Sequence, residues 1–190
     1  MLEGASYLGL TAILNAADLS EEDIDLQVTG FTQVETLATD QVEAVVVYTA
    51  NEPTQLRERG EAITVLPAAD YTNLLSNGLI VHEEQVTAHP QRVERFVSAF
   101  NQALRFTLEN PDTAFEHSTA YVEGLDDPDV APIARQVLQN SLPLWRGDSG
   151  TLGRTQPADW QATQEVLLQV GLLEEPLDLD AAYTNAFTPQ

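Results

Sequence analysis

Ala44-Val45-Val46-Val47-Tyr48-Thr49-Ala50-Asn51-Glu52-Pro53 is the stretch on which the fold turns. An alanine followed by three valines is apolar at every position, the pattern of a strand covered on both faces and not one. Pro53 then suits the first turn of a short helix reaching about Glu58, where a proline gives up no N–H that the helix would have used, and Gly60 ends it. A buried strand feeding a helix is the repeating unit of open α/β sheets, so the neighbouring segments decide whether the unit recurs.

It does, in both directions. Upstream, Ile24, Leu26 and Val28 alternate with polar residues as a half-buried strand, and Val34 with Leu37 marks a short helix. Further back, Gly4-Ala5-Ser6-Tyr7 opens a helical pattern running to Ala17, with Leu8, Leu10, Ile13 and Leu14 on one stripe. Downstream, Ala62 to Leu66 and Gly78 to His82 read as two more strands on either side of a loop from Pro67 to Asn77. Alternation of helix and strand implies right-handed crossovers and a mainly parallel sheet. From Pro90 the period changes to 3.6: Val93, Phe96, Val97, Phe100, Leu104 and Leu108 recur at helical spacing, Asn110-Pro111-Asp112 starts another helix, and Pro128 to Leu144 and Pro157 to Val170 supply two more. The expected organisation is an α/β lobe over residues 1–82 followed by a helical region over 83–190. The Gly-rich stretch from Arg146 to Gly153 has neither a following Lys-Ser/Thr nor a preceding strand and reads as a linker, not a phosphate loop.

Composition removes several function classes. Thirty acids stand against eight basic residues, every one an arginine, for a formal net charge of -22. Such a surface repels nucleic acid and anionic membranes, which select a basic footprint. It reads either as salt adaptation or as plain high solubility. The absence of cysteine excludes disulfides, thiolate nucleophiles and cysteine-based metal centres. His82, His89 and His117 lie far apart with no paired ligand spacing, so no metal site is expected, and Glu21-Glu22-Asp23 reads as a solvated acidic turn. No run reaches the roughly 18 apolar residues of a membrane span, and no basic n-region with an apolar h-region is legible at the start. With 43% hydrophobic residues the chain has enough apolar material to fold.

Two loops carry the binding chemistry. At the first, Gly4 to Tyr7 offer backbone N–H groups at a helix start, with the Ser6 hydroxyl serving a ligand or simply capping the helix. At the second, Tyr48 ends a strand, where its ring either stacks on a planar ligand or stands at the core edge. Asn51 offers a donor and an acceptor and Glu52 an acceptor alone, which suits the polar edge of a heteroaromatic ring; the alternative is a strand-to-helix turn in its own right. Ligands of open α/β sheets bind at such strand ends.

Taken in order, Gly4-Ala5-Ser6-Tyr7-Leu8-Gly9-Leu10, Gly30-Phe31-Thr32-Gln33-Val34, Val47-Tyr48 with Asn51-Glu52-Pro53, and Ser76-Asn77-Gly78-Leu79 resemble one family. So do His89-Pro90 with its long helix, Asn110-Pro111, Trp160, Gly171-Leu172-Leu173 and Tyr183-Thr184-Asn185. The chain is similar to the ABC-transporter solute-binding proteins related to thiamine-pyrimidine-precursor binding and biosynthesis proteins. The resemblance implies one lobe of a two-lobed, type II periplasmic binding protein that takes an aminopyrimidine thiamine precursor, riboflavin or another small heteroaromatic compound to a membrane permease, outside the cytoplasm and without a cofactor. It implies ligand contacts from Gly4, Ser6, Tyr7, Tyr48, Asn51 and Glu52, joined by Tyr71 and Asn77 from the long loop. It also implies that the chain begins inside the second lobe, without the first lobe or the strand preceding Gly4. A sheet lacking that strand calls for a homodimer or an internal substitute segment, the dimer being favoured. Two other functions stand beside this one. A free-standing interaction or sensory module would keep a vestigial cleft. A pyrimidine-precursor synthase, as the resemblance has it, depends on a cysteine-rich motif that this chain lacks.

Overall fold

The structure is a computed structural model describing residues 4–75, 77–146 and 152–188. Its chain divides into two compact units, Met1–Ser76 with Gln156–Ala182, and Asn77–Thr155 with Tyr183–Gln190. Ser76 and residues 147–151, within the family-like Ser76-Asn77-Gly78-Leu79 run and the Gly-rich linker, lie outside the described residues.

The first unit is built on α1 (Ala5–Ala16), a 3-10 turn (Glu21–Asp23), α2 (Gln33–Ala38), α3 (Glu52–Glu58), a second 3-10 turn (Ala68–Asp70), α8 (Pro157–Gln169) and α9 (Leu179–Ala182). The second holds α4 (Glu83–Ala88), α5 (Pro90–Glu109), α6 (Pro111–Thr119) and α7 (Ala131–Arg146). Helix starts follow the prolines: Pro53, Pro90, Pro111 and Pro157 each stand in a first turn.

Helix ends follow a second rule. After α3, the Gly60 N–H bonds the Arg57 carbonyl at 2.9 Å and the Glu61 N–H bonds Leu56 at 3.0 Å, the paired closure of a Schellman cap, with Gly60 at φ 85°. The same closure ends α1 and α2, but there the left-handed position is taken by aspartates, Asp18 at φ 55° and Asp40 at φ 54°. A non-glycine residue at positive φ pays a steric penalty that Asp, with its short polar side chain, bears better than most.

The mainly parallel sheet expected for residues 1–82 is contradicted: among the described residues there is no strand. Ile24–Val28, Ala44–Val47, Ala62–Leu66 and the run from Gly78 to His82 are non-helical segments without a ladder. The burial pattern gives a physical reason. Parallel sheets require cover on both faces, yet Ile24, Leu26, Val45, Val47, Ile63 and Val65 are half-buried while Val28, Val46, Leu66 and Ile80 lie in solvent. The first three segments lean on the core by alternate residues only and the run from Gly78 to His82 is exposed throughout, so a run of valines signals apolar demand without showing whether two covering layers exist. With no strand among the described residues, there is no open sheet edge there for a second copy to close.

The core of the first unit is small and helical. α2 packs on α3, with Val34 of the one and Leu56 and Pro53 of the other buried, Leu56 only 1% exposed. α1 buries Ala12 and Leu14 and packs on α8, whose Val166 is also buried, and on the Ala68–Asp70 turn, where Gly9 faces Ala68. The Leu75 N–H donates to Thr163 Oγ1 at 2.8 Å, tying the long loop to α8.

In the second unit α5 packs on α4 and α6, and α6 on α7. Of the α5 positions on the expected stripe, Val93, Val97, Leu104 and Leu108 are half-buried, whereas Phe96 and Phe100 are exposed and Asn101 is buried. Phe115 is buried under Arg135, whose guanidinium lies 4.1 Å from the ring centroid and is ion-paired with Glu116 and, at 3.8 Å, with Asp112.

Candidate functional site

The Tyr48-to-Gln55 turn is assembled from its own residues. The Asn51 N–H donates to the Tyr48 carbonyl at 2.9 Å, the Tyr48 N–H donates to Glu52 Oε2 at 3.0 Å, and Gln55 Nε2 donates to Asn51 Oδ1 at 3.0 Å. The floor beneath it is Pro53 and Leu56 of α3. Glu52 therefore uses one carboxylate oxygen to close the turn and keeps Oε1 as an acceptor. Tyr48 is 61% exposed, so its ring is a shelf open to solvent and not a core side chain. The structure thus brings Tyr48, Asn51 and Glu52 together in one turn, which is the turn reading of Asn51-Glu52. Gln55 was missed; its i, i+4 spacing from Asn51 on a helix start is the signal that points to it.

The first loop is organised differently. Gly4 is the N-cap of α1 at φ 97°, with its carbonyl accepting the Leu8 N–H, and no side chain caps the helix. Ser6, exposed in the first turn, does not take the capping role that the sequence left open. Tyr7 is committed elsewhere: its hydroxyl donates to Glu21 Oε1, across fourteen residues, and its carbonyl accepts from Thr11 Oγ1 at 2.9 Å. That bond to Glu21, with some desolvation and the charge of Glu21, holds the Tyr7 phenol above its ordinary pKa, because the carboxylate favours the protonated hydroxyl. The acidic turn is exposed at all three residues, as a solvated turn should be, and is closed by Asp23, which accepts from the Ser20 N–H at 2.9 Å and the Ser20 hydroxyl at 3.0 Å; these two bonds lower its pKa.

Between α1 and this turn lies an open hollow of about 470 Å³ whose lining includes Tyr7, Thr11, Asn15, Glu21, Glu22 and Val170. Of the eight candidate ligand residues, Tyr7 lines it, whereas Tyr48, Asn51 and Glu52 do not. An open hollow with two carboxylates and no aromatic floor apart from Tyr7 is a poor match for a planar ring, whereas the Tyr48 turn carries an exposed ring beside an amide and a carboxylate. Tyr71 sits at the end of the turn that packs on α1, and is half-exposed. Asn77 belongs to the second unit and is exposed there. No group of three or more metal-ligating side chains clusters among the described residues, and no described helix is long and apolar enough to cross a membrane.

With this geometry in view, comparison with known proteins is decisive at the level of the family. The family model described as NMT1/THI5 like matches residues 3–114, which span both candidate loops and α1 to α5. The chain belongs to the NMT1/THI5-like family. It is also similar to the riboflavin-binding protein RibY of Chloroflexus aurantiacus (strain ATCC 29366 / DSM 635 / J-10-fl), at 40% identity over 189 residues, 98% of this chain and 54% of that protein. The chain therefore spans about half the length of this curated relative. Membership of the NMT1/THI5-like family agrees with the resemblance carried by the Gly4-to-Leu10 and Val47-to-Pro53 motifs, although the sheet expected with it is not found among the described residues.

Proposed function

We propose that this chain is a solute-binding component that recognises a planar heteroaromatic nutrient, with riboflavin the first candidate and a thiamine pyrimidine precursor the second. The reading is supported above all by the 40% identity to a protein named for riboflavin binding, over nearly the whole of this chain. The chemistry of the turn supports it independently. Tyr48 gives a solvent-facing ring on which a flavin can stack, Glu52 Oε1 an acceptor for a ring N–H, and Asn51 an amide for a ring carbonyl. Gly4, Ser6, Tyr7, Tyr71 and Asn77 are secondary candidates in this proposal. The role is binding without turnover, and in it the ligand passes to an ABC permease outside the cytoplasmic membrane.

Quenching of riboflavin fluorescence on titration with the protein tests this, with the aminopyrimidine precursor as competitor. Saturable quenching that the precursor displaces weakly supports riboflavin as the ligand. Absence of quenching together with saturable precursor binding by calorimetry would transfer the assignment to the pyrimidine, and neither would end it.

A further inference from the structure

A primary amide shows a ligand either its oxygen or its NH₂ group, and which one it shows decides what it can recognise. Asn51 stands at the N-cap of α3, where an asparagine oxygen ordinarily accepts a backbone N–H from the first turn, yet it makes no such bond. Its oxygen is taken instead by Gln55 Nε2, one helical turn on and 3.0 Å away, both residues being partly buried. That bond fills one of the oxygen's two lone pairs and turns the NH₂ group, with both its donors, to the other side of the amide. On the next residue, Glu52 has given Oε2 to the Tyr48 N–H and has left an acceptor. The turn thus leaves a donor group on residue 51 and an acceptor on residue 52, its neighbour in the chain.

We propose that Gln55 is a positioning residue that sets the specificity of this turn by fixing the Asn51 amide with its NH₂ outward. The inference rests on the reading of the turn as a heteroaromatic binding element. Donor beside acceptor complements a ring edge with an acceptor beside a donor: an oxo group next to a ring N–H, as on the imide edge of a flavin, or a ring nitrogen next to an amino group. Gln55 touches no ligand and acts through Asn51 alone.

Gln55→Glu inverts the arrangement. A carboxylate cannot donate to Asn51 Oδ1 but accepts from Nδ2, so the amide turns over and the oxygen faces outward beside the Glu52 acceptor. Two acceptors require two adjacent donors. Lumazine and pterin share one ring system, both carry an oxo group beside N3–H, and only pterin has an amino group beside N3–H. The wild type is expected to bind the two with similar affinity, and Gln55→Glu to prefer pterin by about tenfold, one mispaired hydrogen bond being of that order. Gln55→Ala, with the amide free to turn, gives an intermediate preference.

Fluorescence titration of both rings against wild type and variants reads the ratio, which a loss of fold alone would not bias toward one ring. The side-chain amide resonances of Asn51 in ¹H–¹⁵N spectra supply a second reading that needs no ligand: in Gln55→Glu they shift as the NH₂ group gains an acceptor. A pterin preference with shifted Asn51 resonances supports the proposal. An unchanged ratio, or Asn51 resonances alike in wild type and Gln55→Glu, overturns it. If the wild type binds neither ring nor riboflavin, the ligand reading of the turn fails, while the resonances still decide whether Gln55 governs the amide.

Discussion

The two loops that the sequence marks for binding are built by opposite means. The hydrogen bonds of Tyr48, Asn51, Glu52 and Gln55 that close the Tyr48 turn are local, within four residues, and the most deeply buried side chains described, Leu56 and Pro53, belong to the helix it starts. Around Tyr7 the decisive contact crosses from α1 to a separate acidic turn, and the side chains above it are exposed. A locally closed turn is held by its own spacing and floor, so its free groups keep a fixed direction for a ligand. A loop closed through a distant partner spends its functional group on the fold. The difference favours the Tyr48 turn as the recognition element.

The largest effect that can break this comparison is removal of the floor. Leu56→Ala is expected to cost about 2–5 kcal/mol, as buried leucines do when a cavity is left, and to weaken riboflavin binding with it. Urea unfolding gives the stability. A cost near zero would mean that the turn is not held by packing, and would put the two loops on the same footing.

Salt tests what the loops share. Among the described residues, ion pairs engage Glu35, Asp112 and Glu116, the first with Arg59 at 2.9 Å and the other two with Arg135, against 30 acids in the chain. Most acids therefore repel one another without a cationic partner, and screening over a Debye length of about 10 Å at 0.1 M should relieve the repulsion. Urea midpoints are expected to rise with sodium chloride. A flat or falling midpoint would show the acids to be locally compensated.

A finer comparison uses the two aspartates at positive φ, Asp18 ending α1 of the Tyr7 loop and Asp40 ending α2, which packs on α3 of the Tyr48 turn. Asp18→Gly and Asp40→Gly should each stabilise the protein by roughly 0.5–1 kcal/mol, since glycine takes this conformation without steric cost. A loss at either position would mean that its side chain does more than tolerate the turn.

The smallest effect separates the loops by pH. Tyr7 has its pKa raised by Glu21, so its contribution is fully present below the ordinary tyrosine range and is lost as pH rises through the raised value. Asp23 beside it and Glu35 at the second region have lowered values, the first through Ser20 and the second through Arg59, and their contributions are lost as pH falls. Tyr7→Phe should therefore flatten the alkaline limb of stability against pH and leave the acid limb in place. An unchanged alkaline limb would remove the Tyr7 to Glu21 bond from the account.

Local signals in the sequence were the legible ones. The prolines at residues 53, 90, 111 and 157 start helices, Gly60 closes one, and Asn51 and Glu52 share a turn with Tyr48 because four residues cannot separate far. What depended on a second segment was not legible. Whether Ala44 to Val47 joins a sheet depends on neighbours and on cover for both faces, and a run of valines carries neither. Tyr7 looks free until Glu21 folds back to it, and the Phe96 and Phe100 periodicity does not say which side of α5 its neighbours take. The family motifs stood out because they fall on local turns, where residue type and backbone shape are coupled most closely.

The central claim is that the Tyr48 turn recognises a flavin-like ring through the Glu52 acceptor, and calorimetric titration of riboflavin into wild type and Glu52→Ala tests it most directly. The account predicts measurable binding by the wild type and an affinity at least about tenfold lower in the variant, one charge-assisted hydrogen bond being worth roughly that much or more. Circular dichroism confirms that the variant retains its helices. Equal affinity in the two proteins, or no binding by a folded wild type, would contradict it.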